Sequence, residues 1–280
     1  MRRAFLLLSC LTLGGCAWEP GQGFAVVEPT VRAAYEPRAD RLAPDGYQRL
    51  SSDYQLRMDA ASMRVSGIEL IAIAAGSGGF NPASPPPGYS LCHNGHCHRA
   101  DGALIPYEQI AAEMGGGGGS STVATLPVAE PMNLLAPEKR AVECTPDCAL
   151  PEATVSQGRW GVDALLLEGT VRDGRATPRI PGERRFRWEL TRAPDSEAPV
   201  AVLNGAVDLP SDRSTPPRAK LDLNLVLTAV LFDPVDWSAL EEDPDGVVEI
   251  SADANPEVHA VLLARLATIS PEAEVTRGDR

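Results

Sequence analysis

Apolar and polar residues alternate with period two over much of this chain. Tyr54, Leu56 and Met58 alternate with Gln55, Arg57 and Asp59, the pattern of a strand with one buried face. The alternation slips around Ala60-Ala61-Ser62 and resumes at Met63 and Val65, which predicts a bulge or a turn. Ile68 to Ile73 is continuously apolar and predicts a more deeply buried stretch. Further strands are expected over residues 160–172, 184–191, 200–209, 219–231 and 247–251. The clearest sets Leu221, Leu223, Leu225 and Leu227 against Lys220, Asp222 and Asn224, and Phe186, Trp188 and Leu190 alternate with Arg185, Arg187 and Glu189 in the same way. The period becomes helical near the end. There Val258, Val261, Leu262, Leu266 and Ile269 form one stripe, with Asn255-Pro256 at its start. A shorter helix is expected from Pro106 to Met114, with proline at its first position, ended by Gly115–Gly119 and Ser120-Ser121.

Short alternating strands, proline and glycine turns, and no repeating βα unit predict a mostly β fold. The expected form is an antiparallel β-sandwich or open barrel, with a short helix after the Cys/His loop and a C-terminal helix. Residues 1–15 read as a leader. Residues 16–50 read as a tether containing Pro20, Pro29, Pro37 and Pro44, leading from the apolar patch Phe24-Ala25-Val26-Val27 into a first strand. Residues 51–75 carry the first strands and 127–270 the main β domain. Between them, 76–126 form a Gly/Pro-rich insertion, and 271–280 read as a flexible tail.

The chain carries a formal net charge of −13, and glycine and proline together make 50 of its 280 residues, as many loops between strands require. The acidic balance argues against nucleic acid and against anionic lipid surfaces as partners. The first residues change the picture most. Met1-Arg2-Arg3 is basic, Ala4 to Leu13 is mostly apolar, and Gly14-Gly15 precede Cys16. This describes a secretory signal too short to span a bilayer.

Leu13-Gly14-Gly15-Cys16 resembles the bacterial lipobox. The resemblance covers 16 residues and implies cleavage before Cys16, a diacylglycerol on its thiol and a further acyl chain on its new N-terminus. At roughly 0.8 kcal/mol per buried methylene, several chains anchor where one would not. Position 17 is Ala17, not the aspartate that retains such lipoproteins at the inner membrane of enteric bacteria. The implied location is therefore the outer membrane, on its periplasmic or its surface face, with another envelope protein as a candidate partner. Loss of two arginines with the leader takes the charge from −13 to −15.

One constellation carries chemistry. Cys92-His93-Asn94-Gly95-His96-Cys97-His98 sets five metal-capable side chains in seven positions and holds three of the four histidines of the chain. Cys144 and Cys148 form a second close pair. In an oxidising compartment four cysteines allow three pairings, of which Cys92–Cys97 with Cys144–Cys148 is the simplest. With the cysteines bonded, His93, His96 and His98 remain as ligands for copper, zinc or nickel. With them reduced, Cys92 and Cys97 join a tetrahedral zinc or copper(I) site, completed by Cys144 or Cys148. A loop that is only stapled is the other reading. The spacing Cys-x₄-Cys-His also resembles an expanded c-type haem attachment motif, which implies thioether links at Cys92 and Cys97 and His98 as axial ligand.

Other motifs return nothing. His259 lies beside the apolar stripe and reads as a packed residue. Glu241–Gly246 reads as a solvated turn, because an EF-hand-like loop starting there has Ala252 where a bidentate carboxylate is needed. Trp160, Trp188 and Trp237 are expected in or beside the core. Ala75-Gly76-Ser77-Gly78-Gly79 misses the nucleophile-elbow pattern, and the glycine run lacks a phosphate loop's Lys-Ser/Thr. The expectation is a non-enzymatic binding protein.

Overall fold

A computed structural model describes residues 25–74, 85–93, 96–100, 102–107, 109–110, 120–211 and 217–277; for Ile73, Ala74 and His93 it describes the backbone alone. Cys16 and the leader, and most of the glycine-rich linker, lie outside the described residues. In chain order the strands begin with β1 (Ala25–Tyr35), β2 (Gln48–Arg49), β3 (Tyr54–Ala74), β4 (Tyr89–His93), β5 (His96–Arg99) and β6 (Leu104–Pro106). They continue with β7 (Ser120–Leu126), β8 (Met132–Asn133), β9 (Arg140–Ala141), β10 (Ala149–Leu150) and β11 (Ala153–Asp173). The last are β12 (Glu183–Thr191), β13 (Ala201–Ser211), β14 (Arg218–Leu227), β15 (Val247–Ile250), helix α1 (Pro256–Leu266) and β16 (Glu272–Arg277).

Two sheets enclose one apolar core, forming a β-sandwich. The larger contains β15-β12-β11-β3-β2, with β13 also on β11 and β7 and β8 also on β3; the smaller runs β10-β1-β14-β16, with β9 also on β1. Most pairings are antiparallel, but β1 with β14 and β12 with β15 are parallel. A third sheet, β4-β5-β6, stands apart with its own small buried cluster. No described helix is long and apolar enough to cross a membrane.

The spine is the antiparallel pair of β3 and β11, each 21 residues long. Strands of this length keep one face inward only by absorbing phase changes. Asp59 and Ser66 on β3, and Ser156 and Asp163 on β11, are skipped in the pairing register as bulges. Each extra residue exchanges the two faces. On β3 the buried set changes from Tyr54 and Leu56 to Ala61, Met63 and Val65, then to Ile68 and Leu70. The slip near residue 60 is thus a bulge at Asp59, not a turn. Gly169 lies opposite it because a β-carbon there would overlap the Arg57 carbonyl and the Phe186 ring.

Several segments differ from the sequence reading, among them Ser120–Leu126, which reads as the end of a linker and is strand β7, paired with β3. Ala25–Tyr35, within the expected tether, is a core strand burying Ala25, Val27, Val31 and Ala33. Its Pro29 fits because odd-numbered amides point toward the β9/β10 side, as Val27 N–H donating to the Cys148 carbonyl at 2.9 Å shows. Pro29 falls between the two short strands, where no ladder donor is needed. Within the expected tail, Glu272–Arg277 is the edge strand β16, paired with β14 and half-burying Ala273 and Val275. The strand expected to reach Leu231 stops at Leu227, because Thr228 accepts a bond from Val230 N–H and starts a 3₁₀ turn over Ala229–Phe232.

Trp160, Trp188 and Trp237 all lie in the core, and Phe186 packs on Trp237 and Phe232 at centroid distances of 5.0 and 5.4 Å. Helix α1 starts at the expected place. Asn255, with φ 58°, makes no side-chain cap; its Nδ2 donates to the Glu249 carbonyl at 2.6 Å and so covers the outer edge of β15. Of the expected stripe, Leu262 and Leu266 are buried while Val261 is exposed.

Candidate functional site

The Cys/His loop is a β-hairpin. Tyr89 N–H donates to the Pro86 carbonyl at 3.1 Å, and Gly88 has φ 95°. That is the hydrogen bond and glycine position of a type II turn with Pro87 at its second residue, and it launches β4. Strands β4 and β5 pair antiparallel with Cys92 opposite Cys97 and His93 opposite His96; β6 then sets Ile105 opposite Cys97 and Leu104 opposite His98. The residues between the first two strands, Asn94-Gly95, are a pair that two-residue hairpin connections favour.

Register decides the chemistry. Directly opposed residues share a face, and neighbours along a strand do not. Cys92 and Cys97 are disulfide-bonded, with Cα atoms 4.0 Å apart. Cys97 is fully buried with Ile105, Tyr107 and Ile110, and Tyr89, Cys92 and Ala103 pack around them. Tyr107, Gln109 and Ile110 have helical backbone, whereas Pro106, expected as the first residue of the helix, ends β6, and the rest of that expected helix lies outside the described residues. The other face carries half-buried His96 and His98, with ring centroids 5.6 Å apart, and position 93 opposite His96. Leu91 and Leu104 flank them and are 59% and 56% exposed.

The second cysteine pair is elsewhere. Cys144 and Cys148 are bonded to each other, between β9 and β10. Thr145 and Thr125 exchange backbone hydrogen bonds of 2.8 and 2.7 Å, so this loop ties the β1 edge of one large sheet to β7 of the other. All four sulfurs are therefore engaged in pairs. The thiolate site completed by Cys144 or Cys148 is not formed in this arrangement, nor are the thioether links of the haem resemblance. Among the described residues no three His, Cys, Asp or Glu side chains form a metal-ion group.

The remaining candidates have structural roles. His259 Nδ1 accepts from the Trp188 indole N–H at 3.4 Å. In the acidic turn, an Asp243 carboxylate oxygen accepts from the backbone N–H of Asp245 and of Val247, and Glu242 pairs with Arg184 at 2.8 Å. A surface cavity of about 390 Å³ gathers Asp59, Glu168, Asp243 and Glu249 around Arg185 and Arg187. Burial pushes the Glu249 carboxyl above its ordinary range; Arg187 opposes this, and Asp243, Glu189 and Glu168 add to it. Asp59 is held by Arg57 at 2.9 Å and by the Thr170 hydroxyl at 2.8 Å, so the cluster is largely paired.

No protein-family model, curated protein or solved structure matches the chain.

Sequence reasoning found the histidines and the cysteines but not the exposed leucines beside them. For Leu91 the signal was the alternation Leu91-Cys92-His93 leading into Asn94-Gly95.

Proposed function

We propose that this chain is a lipid-anchored envelope protein, attached through Cys16, whose β-sandwich carries a hairpin that binds a transition-metal ion through histidine. One observation carries the metal reading: the hairpin register sets His96 and His98 on one face, with position 93 across from His96, while the disulfide ties the other face down. An ion about 2.0–2.1 Å from one nitrogen of each ring spans ring centroids of roughly 5–6 Å, and the two rings lie 5.6 Å apart. Neutral imidazoles suit copper(II) and zinc. Such a site would serve to buffer, deliver or sense the ion, and no catalytic step is proposed. The lipobox resemblance and the oxidised cysteines support the envelope location.

Elemental analysis and titration of the purified chain test this. Stoichiometric copper or zinc is expected, with affinity falling at least tenfold in His96→Ala/His98→Ala. Unchanged uptake in that variant would overturn the histidine site. The second reading, a structural or adhesion loop stapled by Cys92–Cys97, expects no metal and no effect of histidine replacement beyond local packing. For the anchor, Cys16→Ser is expected to release the protein from membranes; retention would show that the lipobox reading fails.

A further inference from the structure

Resting on the anchor at Cys16 and not on the metal reading, we infer that the hairpin sheet touches the lipid surface to which the chain is tethered, through exposed Leu91 and Leu104. Strand register puts the hairpin and the tether at one end of the sandwich. Ala74 ends β3 opposite Ala153, the first residue of β11, and Ile73 lies opposite Ser120, the first of β7. Residues 75–119, which contain the hairpin, therefore leave and rejoin the sandwich at that end. Ala25, the first residue of β1, lies opposite Leu150, three residues before Ala153. Only residues 17–24 separate Cys16 from Ala25. Fully extended, a segment of that length reaches about 30 Å, so a lipid on Cys16 keeps this end of the sandwich close to the surface.

What the chain carries at this end suits lipid. Leu91 and Leu104 are 59% and 56% exposed, more than any other large apolar side chain among the described residues, and both belong to the hairpin sheet. Exposed apolar side chains grouped on one small element mark an interaction site. Charge points the same way. Charged residues make 22% of the chain, but between Ala74 and Ser120 they are only Arg99, Asp101, Glu108 and Glu113. An acidic body is repelled by an anionic surface, whereas a nearly neutral insertion approaches a zwitterionic one with little repulsion. Even a single acyl chain binds a bilayer only marginally, so two leucines cannot hold a free protein there. Tethering removes that requirement. The second contact is then intramolecular, at an effective concentration in the millimolar range for a short flexible linker.

The full lipidated chain on phosphatidylcholine vesicles, with a fluorescent label at one residue and a nitroxide quencher on the lipid chains, reads the contact. Leu104→Cys puts the label on the hairpin sheet, Cys92, Cys97, Cys144 and Cys148 being paired. Leu42→Cys is the control. Leu42 is also exposed, at 46%, and bridges to Gln48, which pairs with Leu56 near the opposite end of β3. Both labelled chains are expected to float with the vesicles, with quenching of at least twofold at position 104 and none at position 42. Leu91→Lys in the chain labelled at position 104 alters only an exposed residue. It is expected to keep flotation and melting temperature and to lose at least half of the quenching. A floating chain unquenched at position 104 would overturn the contact and leave the anchor standing. Equal quenching at both positions, or quenching indifferent to Leu91→Lys, would also overturn it. A label at position 104 shielded from water yet unquenched would assign the leucines to a protein partner and overturn the lipid contact. A chain that does not float would overturn the anchor and the contact together.

Discussion

In the sandwich, Trp160, Trp188 and Trp237 have no exposed surface and belong to a core drawn from both large sheets. Around the hairpin sheet the buried set, among the described residues, is Cys97, Ile105, Tyr107 and Ile110. Both regions contain one disulfide, yet the bonds act on different things. Apolar burial at about 25 cal/mol per Å² stabilises a large core without help. The four described buried residues at the hairpin are below that scale, and a cross-link adds to what so small a cluster supplies. The Cys144–Cys148 bond instead secures a loop between sheets that already cohere. A small element held by a covalent bond can leave its other face to solvent, and that is where the histidines and exposed leucines lie.

The largest effect that would separate the regions is Trp188→Ala. Removing this side chain and its bond to His259 is expected to cost the sandwich about 3–5 kcal/mol in denaturant unfolding. An unchanged midpoint would mean that the two sheets do not share one core. Next come the disulfides, each closing a short loop worth roughly 2 kcal/mol by chain entropy. Cys92→Ser/Cys97→Ser is expected to speed hydrogen exchange in β4–β6 while the sandwich midpoint stays in place. Cys144→Ser/Cys148→Ser is expected to lower that midpoint, because its loop bonds to both sheets. Equal effects of the two pairs on the midpoint would erase the distinction.

The smallest effect concerns charge. Burial raises the Glu249 carboxyl in the folded state, so between the ordinary carboxylate range and that raised value the folded form binds more protons than the unfolded one. Stability is therefore lost as pH rises through that window, and the loss is complete above it. Glu249→Gln is expected to stabilise the sandwich above the window by roughly 0.2–1 kcal/mol and to change nothing below it. Thermal melts across pH read this, and exchange in β4–β6 is expected not to follow.

Much of the sandwich was legible because period-two alternation directly reports a half-buried strand. Glu183–Thr191 and Arg218–Leu227 lie almost where Phe186–Leu190 and Leu221–Leu227 placed them. Ala25–Tyr35 was harder to see, since Pro29 and the prolines on either side of the strand look like a tether until β9 and β10 explain why Pro29 is tolerated. Glu272–Arg277 reads as a charged tail until β14 supplies its partner. Both depend on neighbours distant in sequence.

From the residues alone it follows that the chain is β-rich, that Trp160, Trp188 and Trp237 belong in or beside the core, and that three of its four histidines crowd around two cysteines. Those properties follow from side-chain chemistry and local spacing. Strand pairing was needed to set Cys92 and Cys97 opposite one another on one face while His96 and His98 share the other, with exposed Leu91 and Leu104 nearby. A one-residue change of register exchanges every side chain between faces, so cross-strand pairing alone separated the staple from the candidate ligands.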